Sequence, residues 1–290
     1  MDNKKRYKLM TWILLLAVVM TVLAPLSVTQ AAGVGDVLGA LAAPTAPTSE
    51  GGGILNTIFS FLFDRILGPI LNIFGGGSTT TAPPPVKLPP TPPSGGPVID
   101  SGVLRGKVIV VDPGHGGTNP GAVSNGTRES DNNLAVSLKL RDRLRQAGAK
   151  VVMTRETDRN VATAGSSLGQ ELQARVDIAG RNNADIFVSI HSNSNPDPSI
   201  AGAMTFFPSG KSSKLALEVQ SGIIRETSAV NKGVQPATFY VLRNTAMPSI
   251  LVEMGFVTNA AEAAKLQNDA YRNRIAQGIF TGIVKYFQAN

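Results

Sequence analysis

The 290-residue chain contains no cysteine, two histidines and one tryptophan. The first absence excludes disulfides, thiolate metal ligands and cysteine nucleophiles. It does not identify a compartment, because an exported protein need not carry disulfides. Imidazole is so scarce that the position of each histidine becomes informative. Charge is also modest, with 27 basic against 20 acidic residues. A hydrophobic fraction of 42% is ample for a packed core and excludes a disordered chain.

Lys4, Lys5, Arg6 and Lys8 precede an apolar run from about Leu9 to Leu26, and small residues follow to Ala31-Ala32. That order of basic, apolar and small segments is a signal peptide over residues 1–31, and it predicts an exported protein of the cell envelope, periplasm or exterior. An uncleaved membrane anchor is the alternative, since the run approaches the ~20 residues that span a bilayer. Residues 1–31 hold four basic groups and one acidic group, so cleavage lowers the formal charge from +7 to +4. A charge of that size, without a basic cluster, suits an anionic envelope better than nucleic acid; a mixed solvated surface is the bland alternative.

Residues 32–53 are small, polar and proline-punctuated, a flexible spacer. Residues 54–74 are strongly apolar but interrupted by Asp64-Arg65 and Gly68-Pro69, which argues against a simple spanning helix. Ile54, Ile58, Leu62, Ile66 and Ile70 recur at helical spacing. Such a segment fits a membrane interface, or equally a helix docked on the rest of the chain or on a second copy. Residues 75–100 are proline-rich and favour extended polyproline II, a semi-rigid tether. Residues 101–290 are read as one catalytic domain, and no internal repeat is evident.

Within that domain three apolar runs each end in a residue able to bind metal or move protons. Val108–Val111 closes on Asp112-Pro113-Gly114-His115, Ile186–Ile190 closes on His191-Ser192-Asn193, and Ile250–Val252 closes on Glu253. Runs buried on both faces are typical of parallel strands beneath helices, and their carboxyl ends meet at one crevice. Both histidines of the chain therefore occupy equivalent strand ends. Between the first two runs, Asp131 to Ala147 reads as a helix with Leu134, Leu138, Leu144 and Ala147 on one side and Gly148 as its stop.

Glu129 stands just ahead of that helix, where a carboxylate is favoured electrostatically. Catalytic zinc sites use three protein ligands and leave a fourth position to water, so His115, Glu129 and His191 make an eligible set. Sequence spacing leaves two readings of Glu129, ligation and helix capping. It also leaves two of Glu253, a proton shuttle or a buried ion pair with Arg243 or Arg155. Asp112 reads as an orienting group or turn residue.

These residues, in this order, resemble the zinc-dependent N-acetylmuramoyl-L-alanine amidases of bacterial cell walls, of the Amidase_3 type. The resemblance runs from about Lys107 to Tyr286 through VVDPGHGG at 110–117, Glu129, MTR at 153–155, DIFVSIHSN at 185–193, FYVLR at 239–243 and PSILVEMGFVTN at 248–259. It implies an α/β fold, a single twisted, mostly parallel sheet flanked by helices, with the zinc site at the carboxyl ends of the strands. It implies Zn2+ held by His115, Glu129 and His191, and Glu253 as catalytic acid or base. The implied reaction is hydrolysis of the amide between N-acetylmuramic acid and L-alanine in peptidoglycan by a zinc-activated water. Asn193, Arg243 and Asn244 are weaker candidates for substrate contacts.

Two departures from the family pattern stand out. Val161 to Arg175 is long, which predicts a surface loop bordering the cleft, and the span from His191 to Glu253 is too compact for a helical insertion masking the site. No wall-binding repeat accompanies the domain. The alternative functions are a zinc peptidase acting within the stem peptide and a non-catalytic wall-binding module, which need not keep Glu253.

Overall fold

The computed structural model describes residues 102–289; the signal, spacer, amphipathic and proline-rich segments lie outside them. Three of the apolar runs become adjacent central strands: β1 (Val108–Pro113), β5 (Ile186–Asn193) and β8 (Ser249–Phe256). A short hairpin, β2 (Val123–Ser124) and β3 (Thr127–Arg128), leads from β1 into helix α1 (Glu129–Gln146). There follow β4 (Lys150–Met153), α2 (Leu168–Arg181), β5, β6 (Ala203–Pro208), α3 (Lys214–Thr227), β7 (Asn231–Ala237), α4 (Tyr240–Arg243), β8, α5 (Ala260–Gln267) and α6 (Asp269–Gln288).

The six-stranded sheet has the order β4-β1-β5-β8-β6-β7. Neighbours are parallel except β6 and β8, which run antiparallel, so the expected mostly parallel sheet carries one reversal. Alternation along the strands explains the unbroken apolar runs. Ile109, Val111, Ile186, Val188, Ile190, Ile250 and Val252 enter the core shared with α1, α3 and α6. Val110, Phe187 and Leu251 enter a second core under α2 and α4. Both faces of the central strands are thus covered, as parallel strands require. Among the described residues no helix is long and apolar enough to cross a membrane.

Helix α1 departs from the sequence expectation in its face and its start. Its buried apolar stripe is Val136, Leu140 and Leu144, whereas Leu134 and Leu138 are only partly covered. Its first two turns bury Asn132 and Asn133 instead of leucines, because this end of the helix abuts the turn carrying His115. Gly148 ends it as expected, with a positive φ of 87°.

Candidate metal centre

Strand alternation places Asp112, His191 and Glu253 on the face that carries Val110, Phe187 and Leu251. β1 and β5 run side by side and deliver the His115 turn and His191 to the same edge. His191 and Glu253 are register partners on β5 and β8, with Met204 of β6 beyond Glu253. One residue past that pair the register slips, and such bulges re-aim side chains at a strand end.

The two histidines and Glu129 offer ligand atoms that all lie within 4.8 Å of one another. Glu129 Oε1 is 3.2 Å from His115 Nε2 and 2.9 Å from His191 Nδ1. The imidazoles stand edge to face, 5.0 Å between centroids. Tetrahedral zinc with bonds of ~2.0–2.1 Å separates its ligand atoms by about 3.3 Å, so this donor set has the right chemistry and close to the right spacing. His115 and His191 side chains keep 15% and 18% exposure, so the centre opens to solvent.

The surroundings fix each group. Asn119 Oδ1 accepts from Gly121 N and lies 3.1 Å from His115 Nδ1, where it orients the ring. Glu129 is the first residue of α1, and its Oε2 accepts from Ala122 N at 3.0 Å. Its carboxylate therefore reaches back to the hairpin instead of capping its own helix. Burial alone raises the Glu129 carboxyl, but His115 and then His191 outweigh that and hold it well below the usual carboxylate range. Gly114 is required sterically, because a Cβ there would meet His191 Nε2 at 2.2 Å.

Other expectations resolve differently. Asp112 is fully buried and bonds Thr154 Oγ1 at 2.6 Å, Ser189 Oγ at 2.7 Å and Arg175 Nη1 at 2.5 Å, tying β1 to β5, α2 and the end of β4. Burial pushes its carboxyl up, and Arg175, Thr154 and Ser189 bring it below the ordinary value. Arg155, which the sequence offered as a partner for Glu253, is buried and donates to backbone carbonyls around the His115 turn. Arg243 is exposed and lies 5.5 Å over the Tyr240 ring, while Asn244 bonds Tyr240 O, so both rest on α4 itself. Asn193 Nδ2 lies 3.8 Å from Met204 Sδ, beside the strand position of Glu253.

Of the long stretch from Val161, only the part to Ser167 is loop, and α2 begins at Leu168 with a Ser167–Gln170 capping box. The residues that touch the histidine turn lie just before that stretch: Asp158 and Asn160 accept from Gly117 N and Thr118 N. The compact span from His191 to Glu253 forms β6, α3, β7 and α4, with α3 packed in the core on the α1 side of the sheet. Sequence reasoning missed Asn133, whose Nδ2 reaches Gly114 O and Glu129 Oε1 and whose Oδ1 accepts from Ser192 Oγ. Its place one helical turn after Glu129 was the available signal.

Residues 109–285 match the family model described as N-acetylmuramoyl-L-alanine amidase. The chain is 34% identical over 192 residues to the germination-specific N-acetylmuramoyl-L-alanine amidase of Bacillus subtilis, covering 63% of this chain and 81% of that protein. It is 35% identical over 187 residues to the N-acetylmuramoyl-L-alanine amidase LytC of the same organism, covering 63% of this chain but only 36% of LytC. Among solved structures, the CwlD amidase from Clostridioides difficile, in complex with the GerS lipoprotein, superposes with a TM-score of 0.61 at 35% identity, covering 63% of this chain and all of that one.

Proposed function

Because this chain belongs to the N-acetylmuramoyl-L-alanine amidase family, we propose that it hydrolyses the amide between N-acetylmuramic acid and L-alanine in peptidoglycan, using zinc held by His115, Glu129 and His191 and a proton carried by Glu253. The observation that supports the metal is the mutual approach of those three donors at the carboxyl ends of β1 and β5 and the start of α1. Bound there, zinc supplies Lewis acidity that polarises the scissile carbonyl, steadies its oxyanion and lowers the pKa of water.

Glu253, beside His191 on the next strand, accepts the proton that the attacking water loses as its oxygen bonds to the lactyl carbonyl carbon. It returns that proton to the L-alanine nitrogen as the carbon–nitrogen bond breaks. To serve as a ligand, Glu129 acts as the ionised carboxylate and the two histidines as neutral imidazoles. Asn193 is the better placed of the three substrate-contact candidates, next to the position of Glu253. Arg243 and Asn244, on α4, serve a more distant part of the substrate. Export through residues 1–31 delivers the enzyme to this substrate, and residues 54–74 are a candidate contact with the membrane interface or with a second protein surface.

The test is to incubate purified peptidoglycan with the wild type, with metal-stripped protein and with Glu253→Ala, and to identify the products by mass spectrometry. The amidase releases peptides with a free L-alanine amino end and leaves unsubstituted lactyl groups. Fragments cut within the stem peptide show a peptidase instead. Cleavage that survives in Glu253→Ala overturns the proton-shuttle role.

A further inference from the structure

Two arginines outside the reacting groups aim their donors at the segments that carry His115 and Glu129. Arg155, just past β4, is 1% exposed, and Arg175, in α2, is 3% exposed. Arg155 Nε donates to Pro113 O at 3.0 Å, and its Nη2 donates both to Gly114 O at 3.0 Å and to Ser130 O at 2.9 Å. Its Nη1 reaches Thr157 O at 3.1 Å. Arg175 Nη1 donates to Pro113 O at 2.9 Å as well as to Asp112, and its Nη2 donates to His115 O at 2.9 Å and to Glu171 Oε1 at 3.3 Å. Three successive carbonyls, of residues 113 to 115, are thus held by guanidinium donors.

The turn needs such holding. His115 has a φ of 60°, in the left-handed region, which costs a non-glycine residue about 1–3 kcal/mol and persists only where the surroundings over-determine it. Arg155 Nη2 also bridges Gly114 O and Ser130 O, the neighbours in sequence of His115 and Glu129. One planar, pre-organised fork therefore sets the spacing of two ligand-bearing segments. A lysine has its three donors on one nitrogen at the end of a flexible stem and cannot reproduce the four carbonyl contacts that Arg155 makes from Nε, Nη1 and Nη2. Arg175 is neutralised by Asp112 and Glu171, whereas every hydrogen-bond acceptor of Arg155 named here is a backbone carbonyl. Burial, and then the neighbouring Arg175, pull the Arg155 guanidinium down to about 10, so it stays charged at neutral pH.

We propose that Arg155 and Arg175 are positioning residues that preset the separation of His115 and Glu129, and that the affinity of the centre for zinc depends on their forked geometry. This rests on the metal reading above, and the experiment separates the two. The purified chain is stripped of metal, its zinc affinity is measured by competition with a chromophoric chelator, and the metal-free protein is unfolded in urea. Arg155→Lys and Arg175→Lys are compared with Arg143→Lys, a control that ties α1 to α6 through Gln277 and touches neither ligand segment.

The two variants should remain folded and bind zinc about 10–100-fold more weakly, as for other groups that orient ligands. Saturating zinc should restore their amidase turnover. The control should stay within about 2-fold of the wild type, the scale of a surface change. If both variants fail to fold, Glu171→Gln, which weakens the far side of the Arg175 fork along with the anchor of Val161 N and Ala162 N but removes no bond to residues 113–115, decides the matter by a few-fold loss of zinc affinity. Unchanged affinity in the folded variants, or an equal loss in Arg143→Lys, overturns the proposal while leaving the metal reading intact. A wild type that binds no zinc overturns both.

Discussion

The two sides of the sheet are built on different principles. On the side of α1, α3 and α6 the interior is mostly apolar beyond the first turns of α1, and α3 and α6 approach until backbones touch: a Cβ on Gly278 would stand 2.6 Å from Ile223 Cα and 2.7 Å from Gly222 O. On the α2 side, near the strand ends, the interior holds Asp112, Glu171 and Arg175, all buried, and buried Arg155 links the histidine turn to the first turn of α1. Apolar packing supplies stability but aims nothing. The charged side supplies less net stability, because desolvation offsets attraction, yet its directional bonds hold a turn in one conformation. The candidate groups His191 and Glu253 lie at the edge of the directional side, and Glu129 reaches them from the start of α1.

The comparison is broken most severely at Glu253. Glu253→Ala should lower amidase turnover by about 10²–10⁴-fold, the usual worth of a general acid–base, while zinc content and urea midpoint stay unchanged. A parallel loss of zinc would move Glu253 into the ligand set. The next largest effect is on stability. Asp112→Asn leaves Arg175 without its closest carboxylate, and removing one partner of a buried pair costs about 3–5 kcal/mol, read as a urea midpoint.

That cost should also carry a pH signature. The folded carboxyl of Asp112 lies below its ordinary value of 3.8, so its stabilisation is fully present above that value and is lost as pH falls through the folded one. The gap between wild type and Asp112→Asn should stay constant at neutral pH and close only below about pH 4. A gap that closes nearer pH 6 would indicate that a histidine, not Asp112, governs the effect.

On the apolar side, Gly278→Ala forces α3 and α6 apart and should cost about 1–3 kcal/mol, with the zinc affinity of the folded protein unchanged. Loss of zinc affinity there would erase the division between the two sides. The smallest effect belongs to Val230, 60% exposed, where Val230→Ser should stay within about 0.5 kcal/mol of the wild type in urea.

Much of the fold and the reacting groups was legible in the chain because they depend on local pattern. Val108–Val111 is apolar at every position and Ile186–Ile190 at all but Ser189, and strands covered on both faces accept that, so the central strands and their polar ends could be named. With two histidines in the chain, both at strand ends, the candidates for a metal were few. Glu129 and Glu253 kept two readings each until the family motifs were considered. Their roles depend on what lies opposite them, and spacing does not encode that.

Tertiary structure alone decided the rest, through partners distant in sequence. Arg155 could equally have paired with Glu253; its bonds to residues 113, 114 and 130 exist because β4 ends beside the histidine turn. The buried face of α1 shifted from Leu134 and Leu138 to Asn133 and Val136 because the helix begins against that turn, where polar groups have partners and leucines would not. The reversal of β6 has no local signature, since an apolar strand reads the same in either direction. Strand periodicity picked out His115, His191 and Glu253 as candidates and the family resemblance gave Glu129 and Glu253 their expected roles, whereas the orientation of these groups comes from long-range hydrogen bonds that only the assembled sheet brings within reach.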